Sequence, residues 1–262
     1  MSFLFSTVVD SAYMPYVPIF AWTFRHIYQD CGLKLFMRDP CPYPAHGAEI
    51  VPMFEDFPRY QYNSIALRFV VPPEHYEGWE YVYVGDIDLP LMPEPMNLEQ
   101  FHTQEMVASR LCYSNSLRHK SHYQGYQSLT GLHFATPKWF KETEDERVRY
   151  WDLLKRGLVG CYREYDGAML YRMAERSGVG LPKKYKLKNR HHGIHLSNFN
   201  RLFKDNKKAW RDRVPQNMRS QWLMWLQNKE FADICARSRA DSADLNTQLD
   251  ILEDFCRHPE GD

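Results

Sequence analysis

Along the N-terminal part of the chain, short β-favouring runs alternate with stretches whose apolar side chains recur every three or four positions. Phe3 to Val9 is an apolar run ending at Asp10, and Tyr16 to Tyr28 follows with Val17, Phe20, Ala21, Phe24 and Ile27 at helical spacing. The opening unit therefore predicts strand, loop, helix. Leu33 to Met37 predicts a second strand closed by Arg38-Asp39-Pro40, and Ile50 to Phe54 a third beyond a Pro-rich connection. Tyr62 to Val70 reads as a helix stopped at Pro72-Pro73, since a residue before proline is pushed out of the helical region. Tyr81-Val-Tyr-Val84 then predicts a strand running straight into Gly85-Asp-Ile-Asp88. Strands alternating with helices imply an α/β fold with a mostly parallel central sheet.

Farther on, Thr136-Pro137 offers an N-cap with proline at the first helical position. The helix it opens is expected to reach about Lys155, with Phe140, Arg147, Trp151 and Leu154 near one face. A further helix is expected from about Arg163 to Arg176, closed by Ser177-Gly178. From Phe199 the strand signal stops. Trp210, Trp222, Trp225, Leu226 and Phe231, then Leu245, Leu249, Leu252 and Cys256, predict two or three amphipathic helices. Residues 1–200 are thus expected to form the α/β unit and residues 201–262 a helical C-terminal extension packed on it.

Composition narrows the function classes. Of the 262 residues, 44% are apolar and 15% aromatic, which excludes a disordered chain. The 33 basic and 33 acidic residues cancel, so no global field draws the protein to nucleic acid or to an anionic membrane, and any polyanion site has to be local. The six cysteines (31, 41, 112, 161, 235 and 256) contain no CxxC pair, which favours reduced thiols and a cytoplasmic setting. The N-terminus lacks a basic n-region and reads as a first strand, not a signal peptide.

Two constellations carry chemistry. Asp86 and Asp88 stand at the C-terminal end of an apolar strand, where open α/β sheets bind ligands, and two carboxylates there suit one magnesium or manganese ion held against a diphosphate. The second is His191-His-Gly-Ile-His195, preceded by Lys183, Lys184, Lys186, Lys188 and Arg190: imidazoles for a metal, with basic side chains near anionic phosphates. A zinc site fits less well, because no cysteine lies nearby and the glutamate of a metalloprotease motif is missing.

In this order, the pieces resemble glycosyltransferases of the GT-A fold, particularly bacterial-type sugar transferases that build surface polysaccharides, over roughly residues 3 to 200. Thr7-Val-Val-Asp10 with Tyr13 is similar to their nucleotide-contacting start, which implies that Val9, Asp10 and Tyr13 receive base and ribose. Ser64-Ile-Ala-Leu-Arg68 is similar to the helix before their metal motif, implying Arg68 as a phosphate or sugar contact. Tyr83-Val-Gly-Asp-Ile-Asp88 resembles their strand plus Asp-x-Asp, and Ser128-Leu-Thr-Gly-Leu-His133 their glycine-containing acceptor-side strand. Glu164-Tyr-Asp-Gly-Ala-Met-Leu170 is similar to their acidic helix start, with Glu164 and Asp166 competing for the acidic role. Gly193-Ile-His195-Leu matches the late histidine that completes metal coordination; His191 and His192 compete for that position, and His195 is preferred as the end of a short apolar strand.

The resemblance implies a Rossmann-like GT-A domain transferring a sugar from a nucleotide-diphosphate donor, UDP foremost, to a glycan or lipid-linked hydroxyl acceptor. Asp86, Asp88 and His195 would hold Mn²⁺ or Mg²⁺, with Asp166 or Glu164 as the catalytic acid-base group. Asp86, Arg68 and Lys183 would face the donor's phosphates. No nucleic acid and no transmembrane segment are expected, and peripheral contact at the inner face of the membrane is allowed for. The rivals are a non-catalytic nucleotide-sugar or glycan-binding scaffold of the same fold and a nucleotidyltransferase. The latter usually needs a glycine-rich basic loop after the first strand, where this chain has Ser11-Ala-Tyr-Met-Pro15.

Overall fold

The computed structural model describes residues 3–59, 63–118, 127–158, 166–183, 192–197 and 214–258. Strand β1 (Phe3–Val9) is buried along its whole length. It pairs in parallel with β2 (Gly32–Met37) on one side and β4 (Tyr81–Val84) on the other, while β3 (Glu49–Pro52) extends the sheet beyond β2. Chain order thus runs outward from β1 to β3 and then returns to the opposite side of β1 for β4. This reversal opens a crevice at the carboxyl ends of β1 and β4, where ligands bind in open α/β sheets. The sheet finishes with shorter strands. Of β5 (Tyr113–Ser114), β6 (Leu117–Arg118), β7 (Ser128–Leu129) and β8 (His133–Ala135), β8 joins β4 antiparallel and β5 forms the edge, giving the order β3-β2-β1-β4-β8-β5. Strands β6 and β7 pair separately.

Alternate side chains of β1 feed two cores. Phe3, Phe5 and Val9 face one layer, and Leu4 and Val8 the other, the period of two that a sheet covered on both faces requires. The first layer holds α1 (Val17–Ile27), which buries Phe20 and Phe24 against Phe5 with ring centroids 4.5 and 6.0 Å away. The second holds α2 (Asn63–Leu67), followed along the chain by α3 (Leu98–Ser109) on the first face and α4 (Pro137–Glu142), α5 (Glu144–Lys155) and α6 (Asp166–Arg176) on the second.

Several expectations need adjustment. The helix expected from Pro137 to Lys155 is broken at Thr143, whose hydroxyl donates back to the Trp139 carbonyl at 2.8 Å. Glu144, Asp145 and Glu146 then occupy the first turn of α5, where the helix dipole favours negative charge. Helix α3 was not expected at all. It buries only Leu98, His102 and Met106, a stripe too thin to read as periodicity, yet it carries a reciprocal Asn97/Gln100 capping box. The expected strand from Ser128 to His133 resolves into β7 and β8 with different partners, and Gly131 lies between them. Gly178 ends α6 at φ 70°, as a C-terminal glycine does.

The C-terminal helices α7 (Gln216–Leu226), α8 (Lys229–Asp241) and α9 (Ala243–Arg257) share the core of α1. Trp22 meets Trp225 edge-on at 5.6 Å and Phe231 at 4.5 Å. The Tyr16 hydroxyl donates to Gln248 at 2.9 Å, tying α9 to the loop after β1. Trp222 is fully buried, so Trp222→Ala should cost about 3–5 kcal/mol, as should Phe24→Ala. Urea unfolding of both variants should stay a single transition; a separate early transition in Trp222→Ala would show that the tail unfolds on its own.

Candidate metal centre

The site is built from two adjoining strand ends and two segments that reach them. At the end of β4, the Gly85 amide donates to the Ser6 carbonyl of β1 at 3.2 Å, which carries the chain directly into Asp86. Gly85 has to be glycine, because a Cβ there would lie 2.7 Å from the Phe5 ring. Arg68 leaves the end of α2 and reaches the same point. Its Nη1 donates to the Gly85 carbonyl at 3.0 Å and pairs with Asp86 Oδ1, and its Nη2 donates to Asp166 Oδ2 at 2.8 Å. Asp166, the first residue of α6, also accepts from the Gly167 amide through Oδ1 at 2.7 Å. A Cβ at Gly131 would fall 2.5 Å from Arg68 Nη2 and 2.7 Å from Asp166 Oδ2, so the bare backbone there is what leaves room for the pair.

Residues 192–197 approach from the other side, running against residues 88–92. The Ile194 amide donates to Pro90 at 3.0 Å, the Leu196 amide to Asp88 at 2.9 Å, and the Met92 amide to His192 at 2.9 Å. These bonds deliver His195 to the aspartates: Nε2 lies 3.7 Å from Asp86 Oδ2 and Nδ1 3.5 Å from Asp88 Oδ2. Ser197 Oγ shares a hydrogen bond with Nδ1 at 3.1 Å. One ligand atom from each of Asp86, Asp88 and His195 lies within 4.8 Å of the other two. Two carboxylate oxygens and one imidazole nitrogen, with Asp88 buried and Asp86 and His195 partly exposed, fit Mn²⁺ or Mg²⁺.

Charge here is tightly balanced. Burial alone would raise the Asp86 pKa, but the Arg68 charge and then His195 outweigh it and hold the carboxyl far below its usual range. Burial likewise opposes the charge on Arg68, and Asp86 and Asp166 more than restore it. For His195 burial favours the neutral ring, yet Asp88 and Asp86 push its pKa up to about 9.

Of the residues expected at the site, the structure brings Arg68, Asp86, Asp88, Asp166 and His195 together. Val9 ends β1, and Asp10 accepts from the Ala12 amide at 3.1 Å to shape the following turn. Tyr13 packs on Tyr16 with centroids 5.6 Å apart. Burial and then the Asp88 charge push the Tyr16 hydroxyl pKa up. Lys183 lines a cavity of about 540 Å³ with Glu105, Arg110, Ser114 and Asn115, beside edge strand β5. His192 is buried and turned toward Glu94, with Nδ1 3.1 Å from Oε2, and takes no part in the cluster. Glu164 and His191, with residues 184–190, lie outside the described residues. Sequence reasoning missed Ser197, whose signal is its i+2 spacing from His195, and Gly131, whose contacts join three distant parts of the chain.

No family model and no curated protein matches this chain. Solved structures similar to it include glycosyltransferases. The galactosyltransferase LgtC in complex with donor and acceptor sugar analogs is 14% identical, over 65% of this chain and 69% of that one, at a TM-score of 0.39. An LgtC active-site mutant is 13% identical, over 74% and 84%, at 0.40. The glycosyltransferase GlyE of Streptococcus pneumoniae TIGR4 is 16% identical, over 66% of this chain and 42% of its own length, at 0.40. Likenesses this loose assign no activity, and the site has to be read from its own geometry.

A His195 pKa raised from 6.5 to about 9 contributes stability that is fully present below pH 6.5 and is lost as pH rises through 9. Metal-free protein should therefore lose thermal stability between those values, and His195→Gln should flatten that slope. Because a bound cation needs the neutral ring, Mn²⁺ affinity should rise across the same interval. Thermal melts with and without Mn²⁺ at several pH values check both trends; a metal-free curve unchanged by His195→Gln would contradict the pairing.

Proposed function

We propose that the protein is a metal-dependent glycosyltransferase that moves a sugar from a nucleoside-diphosphate donor to a hydroxyl acceptor. The observation that carries this reading is the Asp86, Asp88 and His195 cluster at the point where the sheet order reverses. A divalent cation held by these three residues supplies a Lewis acid that offsets the charge of a departing nucleoside diphosphate.

The remaining roles follow from this chain's own groups. Arg68 is fixed by the Gly85 carbonyl, Asp86 and Asp166. Its charge offsets part of three converging carboxylates, which makes the approach of an anionic donor less unfavourable. Val9, Asp10 and Tyr13, at the carboxyl end of β1, form the wall for base and ribose, UDP being the first donor class to test. Asp166 and Glu164 are the acidic groups assigned to the acceptor hydroxyl. Each oxygen of Asp166 accepts one hydrogen bond, from Arg68 and from the Gly167 amide, and each keeps a second lone pair that can receive a proton. Lys183, in the cavity beside β5, is the basic group assigned to the donor's phosphates together with Arg68.

The acceptor is a glycan or a lipid-linked sugar, as in polysaccharide synthesis, and a cytoplasmic site of action suits a nucleotide-sugar donor. Among the described residues no helix is long and apolar enough to cross a membrane.

Purified protein should be stabilised by one class among UDP-, GDP-, dTDP- and CMP-sugars, and should hydrolyse that donor slowly, only with Mn²⁺ or Mg²⁺ present. Asp88→Asn, isosteric at a buried position, should lower that turnover by about a hundredfold or more, since a bound metal supplies several kcal/mol. Metal-independent binding of nucleotide sugar without turnover would favour the scaffold. Release of pyrophosphate from a nucleoside triphosphate would favour the nucleotidyltransferase.

A further inference from the structure

Residues 192–196, His195 among them, run against residues 88–92, and that fit decides whether the His195 ring meets the aspartates. Three main-chain hydrogen bonds set that register. In an extended segment, a slip of one residue would turn His195 to the opposite side. Two features resist a slip. Gly193 packs where a Cβ would lie 2.2 Å from the Pro90 carbonyl oxygen. His192, just before it, holds φ at 51°, a left-handed conformation that a residue with a side chain adopts only when its surroundings enforce it.

What enforces it is visible around the ring. His192 is 1% exposed, its Nδ1 lies 3.1 Å from Glu94 Oε2, and its ring packs on Phe101 at 5.3 Å and His102 at 5.5 Å. Glu94 follows Asp88 on the same stretch of chain that residues 192–196 run against. The Glu94–His192 contact, at ion-pair distance but outside hydrogen-bond geometry, therefore joins the segment carrying Asp88 to the one carrying His195, beyond the end of their main-chain ladder.

We propose that Glu94 and His192 are positioning residues for the metal centre, a clamp that fixes the left-handed turn and so the place of His195 opposite Asp86 and Asp88. Neither touches the cluster itself, and both act through His195. The inference deepens the metal reading of the site and rests on it.

The test is Mn²⁺ affinity by calorimetry for Glu94→Gln and His192→Asn, the latter chosen because asparagine tolerates the left-handed region. Each should weaken binding roughly ten- to hundredfold, as losses of groups that orient a ligand do, while far-UV circular dichroism and the metal-free melting temperature stay close to wild type. In a His195→Ala background, Glu94→Gln should add less than about twofold, because a residue acting through His195 has nothing left to position. Wild-type affinity in both variants, or an effect undiminished in the His195→Ala background, would overturn the clamp. If wild-type protein binds no Mn²⁺, the metal reading fails separately. The ¹H–¹⁵N ring signals of His195 in metal-free protein then decide the clamp: they move on Glu94→Gln if it holds, and unchanged signals refute it.

Discussion

A guanidinium group buried beneath the end of a strand cannot stand alone, and the geometry of this site follows from how Arg68 is satisfied. Taking such a charge out of water costs several kcal/mol unless it meets opposite charge and well-placed acceptors. Arg68 finds them in the Gly85 carbonyl, Asp86 and Asp166. Its side chain thereby links the end of α2, the end of β4 and the start of α6. The bridge also divides the labour of Asp86: Oδ1 faces Arg68, and Oδ2 faces His195 and the open side of the crevice. Any residue larger than glycine at position 131 would be driven into this pair.

The sheet explains why the bridge stands where a ligand can reach it. Because β2 and β3 lie on one side of β1 and β4 on the other, the loops after β1 and β4 diverge and leave a crevice between them. The loop after β1 carries Asp10 and Tyr13, and the loop after β4 carries Asp86 and Asp88. Residues 192–197 then close the far side by adding hydrogen bonds alongside residues 88–92. The C-terminal helices contribute from behind: Gln248 of α9 accepts from Tyr16, whose hydroxyl lies within the field of Asp88. Charge balance, sheet order and the packing of the tail thus converge on one small volume.

Much of this was legible in the chain. Strands β1, β2 and β4 and helix α1 are long or apolar enough to announce themselves, and β1 and β4 have the bounds that their hydrophobic runs imply. Asp86 and Asp88 were legible because a β-rich run ends directly at them. His195 was legible from alternation after Gly193. Strands of two or three residues, such as β5 and β8, carry no periodic signal, and their place in the sheet is set by partners far away in sequence. Helix α3 hid behind a weak stripe although its capping box was written in Asn97 and Gln100. The basic residues from Lys183 to Arg190 read as one phosphate-facing group, but charge alone does not say where a segment lies; Lys183 lines a cavity beside β5, and residues 184–190 lie outside the described residues. The parts of Gly131 and Glu94 depend on contacts between distant segments, which no local pattern encodes.

The central claim is that Asp86, Asp88 and His195 form one divalent-cation site, and the most direct measurement is the anomalous difference map of a crystal soaked in Mn²⁺. The account predicts one strong peak bounded by an oxygen of Asp86, an oxygen of Asp88 and a ring nitrogen of His195, lost in Asp88→Asn. A map from a saturating soak with no peak there, or with manganese bound only elsewhere, would contradict it.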